Sequence, residues 1–255
     1  MALVEIKWEK SMDEVIESLK RNSNIEYIEP NYLRYFFSSN ENLSTDDTHK
    51  GEQRSLEYID WVDAYNLYSG VLKNQQPVVV AVVDNGVNYN HVDLSSSMRS
   101  PEECALRSWE DVVSWSCNHW YNFVWWDGFP LPNQWNHWTH VAWIVWAAIN
   151  NGKWIVGINP HGKIAALKVW NSTSLSTYAE IQAIDFAINN WIKIINASFW
   201  AYWSWKVEYN AIKAYQESWW LFIVAAWNET INIDSWDEGD LIYPCAYELD
   251  NILCV

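Results

Sequence analysis

The sequence predicts an α/β fold, a doubly wound parallel sheet with helices on both faces. Continuous apolar runs at 77–83 (PVVVAVV), 164–169, 192–197 and 221–226 lack the polar alternation of strands with one wet face. They read as strands buried on both sides. Helically spaced apolar residues lie between these runs, and strand–helix alternation builds a parallel sheet. Sites in such sheets form beyond the carboxyl ends of the strands. Asp84, the segment Asn196-Ala197-Ser198, and Asn228 all fall at such ends.

Taken in order, residues 2–7 (ALVEIK) alternate like a short strand. Ser11 and Glu14 make a capping box for a helix with Met12, Val15, Ile16 and Leu19 on one face. A turn at 22–24 leads to a second strand at 25–28, closed by Pro30. This unit, residues 1–37, is a partial α+β domain, small for an independent core. The polar stretch 38–54 (SSNENLSTDDTHKGEQR) reads as an exposed linker, and 55–255 as the main domain. There the first strand ends in a turn, Asp84-Asn85-Gly86. Residues 95–136, rich in Trp, Asn and Ser, read as loop with short strands. A helix over 137–149 precedes the strand at 164–169. Thr177 and Glu180 form a second capping box, ahead of a helix with Ile181, Ile184 and Ile188 on one face. A helix over 206–217, with Val207, Ala211 and Tyr215 spaced by four, separates the last two strands, and another strand starts at 251–255.

Composition limits the function. A chain of 255 residues, half of them hydrophobic, supports one large domain or a domain plus an appendage. A net charge of −16 argues against a nucleic-acid or anionic-membrane partner. No window is long and apolar enough to span a bilayer. Met1 leads straight into a strand-like segment with no signal peptide, so the chain is expected to begin inside a longer gene product. The four cysteines (104, 117, 245, 254) lack metal-site spacing and form up to two disulfides or none.

Singly, the candidate site residues are ordinary. An Asp at a strand end is often a turn cap, and a lone His is more often structural. His137 and His140 are too poor in carboxylate neighbours for zinc. Order and shared placement raise their weight. Asp84, His137 and Asn228 supply an acid, a base and an amide donor at three strand–helix junctions, the parts of an acyl-transfer site.

The local motifs resemble those of the subtilases, the subtilisin-like serine proteases. Val79 to Val87 (VVAVVDNGV) is similar to the segment around the family's catalytic Asp. His91-Val92-Asp93-Leu94 resembles the His-Pro-Asp-Leu that follows, with Val for Pro. His137-Trp-Thr-His-Val-Ala-Trp143 resembles His-Gly-Thr-His-Val-Ala-Gly around the catalytic His. Ile194 to Trp200 (IINASFW) resembles the substrate-binding strand, and Ala225-Ala226-Trp227-Asn228 the Ala-Ala-Gly-Asn of the oxyanion hole. Residues up to Ile28-Glu29-Pro30-Asn31-Tyr32 resemble the end of the inhibitory propeptide.

The resemblance implies a subtilisin-like serine endopeptidase acting on polypeptides. His137 would take a proton from a nucleophilic Ser and return it to the leaving amine, with Asp84 holding its tautomer. The Asn228 amide would donate to the oxyanion, an effect of roughly 3–4 kcal/mol. The backbone of Ser198, Phe199 and Trp200 would pair with extended substrate. No cofactor is required for the chemistry. A structural calcium is expected at Asp93 and Asn151, helped by carbonyls of Ile149, Lys153 and Ile155. The family's Gly-Thr-Ser-Met-Ala nucleophile segment does not occur. The chain therefore reads as a fragment, inactive as written, from an extracellular or cell-surface monomer. Its propeptide would be cleaved within 38–54. The alternatives are a catalytically inactive peptide-binding pseudoprotease and, from its aromatic content, a carbohydrate binder.

The 21 Trp and 8 Gly invert normal usage. Trp138, Trp143, Trp200 and Trp227 stand at family Gly positions, and Trp154 and Trp191 at Gly-like turns. Glycine serves such places through positive φ or close backbone approach. The pattern is expected if the source reads UGA as glycine. Trp170 and Trp205 cannot be sorted by this reasoning.

Overall fold

The computed structural model describes residues 11–25, 28, 45–72, 74–99, 102–108, 111–132, 137–171, 174–226, 228 and 241–255, with positions 13, 72, 102–103, 107–108, 111–114 and 137–138 described by backbone alone. The chain forms two compact units, Met1–Asn40 and Glu41–Val255. In the first, helix α1 spans Met12–Lys20 and carries the expected capping box. Ser11 Oγ accepts from Glu14 N at 3.2 Å, and Glu14 Oε2 accepts from Ser11 N at 2.8 Å. Val15, Ile16 and Leu19 are half-buried, whereas Met12 is exposed. The strand expected at 2–7 lies outside the described residues, and neither Ile25 nor Ile28 is in a strand.

The second unit opens with helices α2 (Arg54–Tyr58) and α3 (Trp61–Leu72). Strand β1 (Val79–Asp84) follows, then hairpin strands β2 (Glu102–Ser108) and β3 (Asp111–Cys117), and β4 (Trp120–Asn122). Helix α4 is His137–Trp146, β5 Lys163–Lys168, α5 Thr177–Asn189, and β6 Ile194–Ala197. Helix α6 (Lys206–Glu217), β7 (Leu221–Val224) and β8 (Ile252–Cys254) complete the order. The main sheet runs β4-β5-β1-β6-β7-β8 with every pair parallel. From β1 the chain reaches the edge strand β4, returns inward to β5, and then crosses β1 to run outward through β6, β7 and β8.

Strand periodicity explains the two cores, because successive side chains point to opposite faces. Ala81 and Val83 join Ala165, Leu167 and Ile195 on one face, under Ala183, Ile184 and Ala187 of α5 and Ile212 and Tyr215 of α6. Val80 and Val82 join Ile164 and Ala166 on the other, under Ala142 and Trp146 of α4. The alanines let the helices approach closely.

Several elements differ from the sequence expectation. The short strands expected within 95–136 are present, and what the sequence did not show is that two of them pair as the antiparallel β2–β3 hairpin, tied by the Cys104–Cys117 disulfide. Asn190 completes it by accepting from Ala105 N and donating to Ala105 O, each at 2.8 Å. A second disulfide joins Cys245 to Cys254. The N-cap of α5 is Ser176, whose Oγ accepts from Ala179 N at 3.3 Å, so Thr177 is the first helical residue. Glu180 is correspondingly free to turn inward, and it is fully buried. Helix α6 buries Glu208, Ile212 and Tyr215 while Val207 is exposed, a face rotated from the spacing-by-four reading. Helix α4 stops at Trp146 rather than 149 because residues 157–159 cap its last carbonyls. Ile158 N donates to Ile144 O at 3.1 Å and Asn159 N to Val145 O at 2.7 Å. Residues 45–53 are not a free linker. Asp47 is buried, and Gln53 donates to Val156 O at 2.9 Å and accepts from Val156 N at 2.8 Å.

Candidate active site

Asp84 closes β1 at the sheet's carboxyl edge and is fully buried. Its Oδ1 accepts from Asn85 N at 2.7 Å. Its Oδ2 is buried without a hydrogen-bond partner among the described residues. Burial pushes this carboxyl well above the usual carboxylate range, and the Asn85 N–H opposes the shift only in part. The turn that follows needs glycine, because Gly86 has φ +96° and a Cβ there would sit 2.3 Å from Pro130 O. Val87 N donates to the same carbonyl at 3.0 Å. One residue further on, Asn88 N donates to Thr139 Oγ1 at 3.0 Å. That bond fastens the first turn of α4, which begins at His137, to the turn leaving Asp84. Thr139 is itself buried.

Lys168 stands beside Asp84 in register across β1 and β5. It is buried, and its Nζ donates to Leu131 O at 2.5 Å. Desolvation lowers the affinity of this amine for its proton, and the Asp127 carboxylate works against that. Lys168 thus holds the 129–131 segment across the mouth of β1. The sequence gives one faint signal of it, a lysine ending an otherwise apolar strand.

The other residues leave the same edge. Val82 pairs with Asn196 and Ala197 with Val224, so the segments after β1, β6 and β7 emerge side by side. Asn196 Nδ2 donates to Ser198 Oγ at 2.9 Å. Phe199 is buried and Trp200 half-buried. Ala201 then pairs antiparallel with Tyr243, with both N–H to O bonds at 2.8 Å. Asn228 is exposed, beyond the point where Ala226 N donates to Val255 O at 2.7 Å. Trp227 lies outside the described residues, as do the side chains of His137 and Trp138.

Asp93 and Asn151 do come together, but as donor and acceptor. Asn151 Nδ2 donates to Asp93 Oδ1 at 2.7 Å. The Trp143 indole N–H and, at 3.5 Å, Ile155 N donate to Asp93 Oδ2. Asn151 Oδ1 is turned away, accepting from Lys153 N at 2.9 Å. Lys153 O accepts from Thr48 N at 3.2 Å. Calcium wants six to eight oxygens, whereas Asp93 is ringed by N–H donors and a carbonyl expected to help is already engaged. The residues present do not fit that ion. Among the described residues, no group of three or more His, Cys, Asp or Glu is placed to hold a metal.

A parallel sheet with helices on both faces, with Asp84 at the end of β1 and the segments after β6 and β7 leaving the same edge, defines an α/β class of fold. Within it, the chain belongs to the subtilase family (Peptidase S8), whose pattern matches residues 75–255. The thermophilic serine proteinase of Bacillus sp. (strain AK1) is 29% identical over 191 residues, covering 74% of this chain and 40% of that protein. Subtilisin E of Bacillus subtilis (strain 168) is 26% identical over 188 residues, covering 73% of this chain and 39% of its own length. The chain therefore spans about two fifths of these relatives. Among solved structures, a lanthipeptide protease superposes with a TM-score of 0.54 at 19% identity, covering 80% of this chain and 56% of that one. The epidermin leader peptide processing serine protease of Staphylococcus aureus gives 0.52 at 18% identity, covering 71% and 46%. These likenesses concern the fold.

Proposed function

We propose that the whole protein is a serine endopeptidase in which Asp84 orients His137, His137 moves the proton, and Asn228 donates to the oxyanion. The observation that carries this reading is the buried Asp84 carboxyl, with one oxygen unpartnered among the described residues, beside a turn fastened to the start of α4. A carboxyl so placed orients an imidazole N–H and stabilises its cation. The backbone of Ser198, Phe199 and Trp200 binds extended polypeptide by strand addition. A Gly-Thr-Ser-Met-Ala segment is not within these 255 residues, so in this proposal the nucleophilic Ser comes from outside them. Two disulfides support an extracellular or cell-surface setting. The test compares this chain with a form extended by its natural downstream sequence. The extended form should cleave casein and lose cleavage with His137→Ala, while the shorter chain binds peptide without cleaving. Cleavage that persists in His137→Ala would refute the scheme, and peptide binding without cleavage by the extended form would establish the pseudoprotease reading.

We also propose that many of the tryptophans are glycine in the natural protein. Trp126, Trp191 and Trp219 have φ of +57°, +57° and +63°, a region bulky residues avoid. Trp191 and Trp219 follow the C-caps of α5 and α6, where helices use glycine. Trp126 and Trp219 are added by backbone geometry to the positions that the motifs single out. Tandem mass spectrometry of the natural tryptic peptides 108–153 and 169–193 reads positions 138, 143 and 191 directly. Glycine there confirms the recoding, and tryptophan at all three refutes it.

A further inference from the structure

We infer that residues 45–53 act as a built-in replacement for a cation, clamping the loop after α4 so that it holds its shape without metal. The loop presents a row of backbone N–H groups, and the arm answers with carboxylates. Asp47 Oδ2 accepts from Asn150 N at 3.0 Å and its Oδ1 from Asn151 N at 3.3 Å. Asp46 Oδ1 accepts from Gly152 N at 2.9 Å. The turn is made by Asn150 and Gly152, with φ of +56° and +67°. Successive N–H groups in such a turn form an anion-binding concavity, and here the anion is part of the same chain.

The arm then zips onto the rest of the loop. Thr48 N donates to Lys153 O at 3.2 Å, and His49 N to Trp154 O at 2.6 Å. Gln53 exchanges two bonds with Val156. The Trp61 indole N–H donates to Ile158 O at 2.8 Å, and Leu56, Trp61 and Val156 form a small apolar cluster beneath. Polarity decides the reading. A cation draws carbonyl oxygens inward, whereas this loop turns N–H groups toward Asp46, Asp47 and Asp93 and gives three carbonyls to the arm. The arm supplies, from one side, negative charge for the N–H row and donors for the carbonyls.

The clamp predicts metal independence that resides in Asp46 and Asp47. The full chain should melt within about 1 °C in EDTA and in millimolar calcium. It should bind less than a tenth of an equivalent of calcium in equilibrium dialysis. Asp46→Asn with Asp47→Asn should lower Tm by roughly 5 °C and speed amide exchange at Asn150, Asn151 and Gly152 at least tenfold, in EDTA and calcium alike. Trp143→Gly removes one of the two donors to Asp93 Oδ2 yet leaves the clamp intact, so it should remain insensitive to EDTA. Stoichiometric calcium binding with a rise in Tm, in the chain as it stands or with Trp143→Gly, would overturn the proposal. So would unchanged exchange at 150–152 in the double variant.

Discussion

Glu180 and Glu208 form a buried acid pair between α5 and α6, and the protein should lose stability as the pH rises. Glu180 is fully buried and Glu208 nearly so. Glu208 Oε2 accepts from Tyr247 O–H at 2.5 Å, so Glu208 is held as the acceptor of the pair. Glu180 faces the Glu208 carboxyl, which is both its charged neighbour and its hydrogen-bonding one. Burial first, and then the Glu208 charge, push the Glu180 carboxyl well above its ordinary 4.5. Two carboxylates this close cannot both ionise, and Glu180 keeps the proton. The folded state therefore binds a proton that the unfolded state releases once pH exceeds about 4.5. With more protons bound in the folded state, stability falls with rising pH, at about 1.4 kcal/mol per unit for one proton. The decline begins above about pH 4.5 and runs on until the buried carboxyl itself gives up its proton. Glu180→Gln keeps the shape, donates an amide N–H to Glu208, and has no proton to lose. Urea unfolding at pH 5, 6 and 7, with an unchanged m-value, should show a steep decline in the parent chain and a shallow one in Glu180→Gln. Glu208→Gln leaves Glu180 buried and should keep the decline. Parallel lines for the parent and Glu180→Gln would refute the assignment of the proton.

Other expectations follow from single contacts. Gly86→Ala sets a Cβ 2.3 Å from Pro130 O at a φ of +96°, and should cost about 2–4 kcal/mol in a thermal melt. Asn190→Ala removes the two bonds to Ala105 and one to Phe186 O at 2.8 Å. It should cost about 2 kcal/mol and expose the Ala105 amide to exchange. In the extended protease, Asn228→Ala should lower kcat about 100–1,000-fold with little change in KM; an unchanged kcat would remove Asn228 from the oxyanion role.

The sheet was legible because burial on both faces leaves a one-letter signature. The runs of β1 and β7 carry no polar residue before their ends, β5 is apolar between Lys163 and Lys168, and β6 carries Asn196 alone. The β2–β3 hairpin was hidden because its stability comes from Cys104–Cys117 and from Asn190, 85 residues distant from Ala105, which no local pattern displays. Asp46, Asp47 and Gln53 read as solvated because polar residues usually are. Here the N–H groups of 150–152 and Val156 satisfy them, which depends on fold and not composition. The second capping box failed for a local reason, since Ser176 lies one residue ahead of Thr177 and takes the cap. Asp84 could be found from its strand-end position, whereas Lys168 leaves only the faint signal of a lysine closing an apolar run and gains its role in three dimensions, where its ammonium meets Leu131 O.

The positive-φ tryptophans give a separate thermodynamic test of the glycine proposal. A left-handed backbone costs a residue with a Cβ roughly 1–2 kcal/mol. Glycine avoids that cost but gives back roughly 0.5–1 kcal/mol in unfolded-state entropy. The net gain from Trp→Gly is then about 0.5–1 kcal/mol per site where the side chain packs against nothing. Trp219 meets that condition, being 95% exposed. Trp191 is 77% exposed and lies 6.1 Å from the Trp220 ring, so it gains less. Trp126 lies 6.1 Å from the Phe123 ring and 6.2 Å from Tyr178, so it gains least. Trp191 and Trp219 precede the paired starts of β6 and β7, so their effects add only in part. The triple variant should melt roughly 3–8 °C higher, at 2–4 °C per kcal/mol for a domain of this size. Trp→Ala at the same sites removes the bulk but keeps the Cβ, and should give no rise. An equal rise for alanine would mean that the indoles themselves destabilise the fold, and backbone conformation would no longer argue for glycine at these positions.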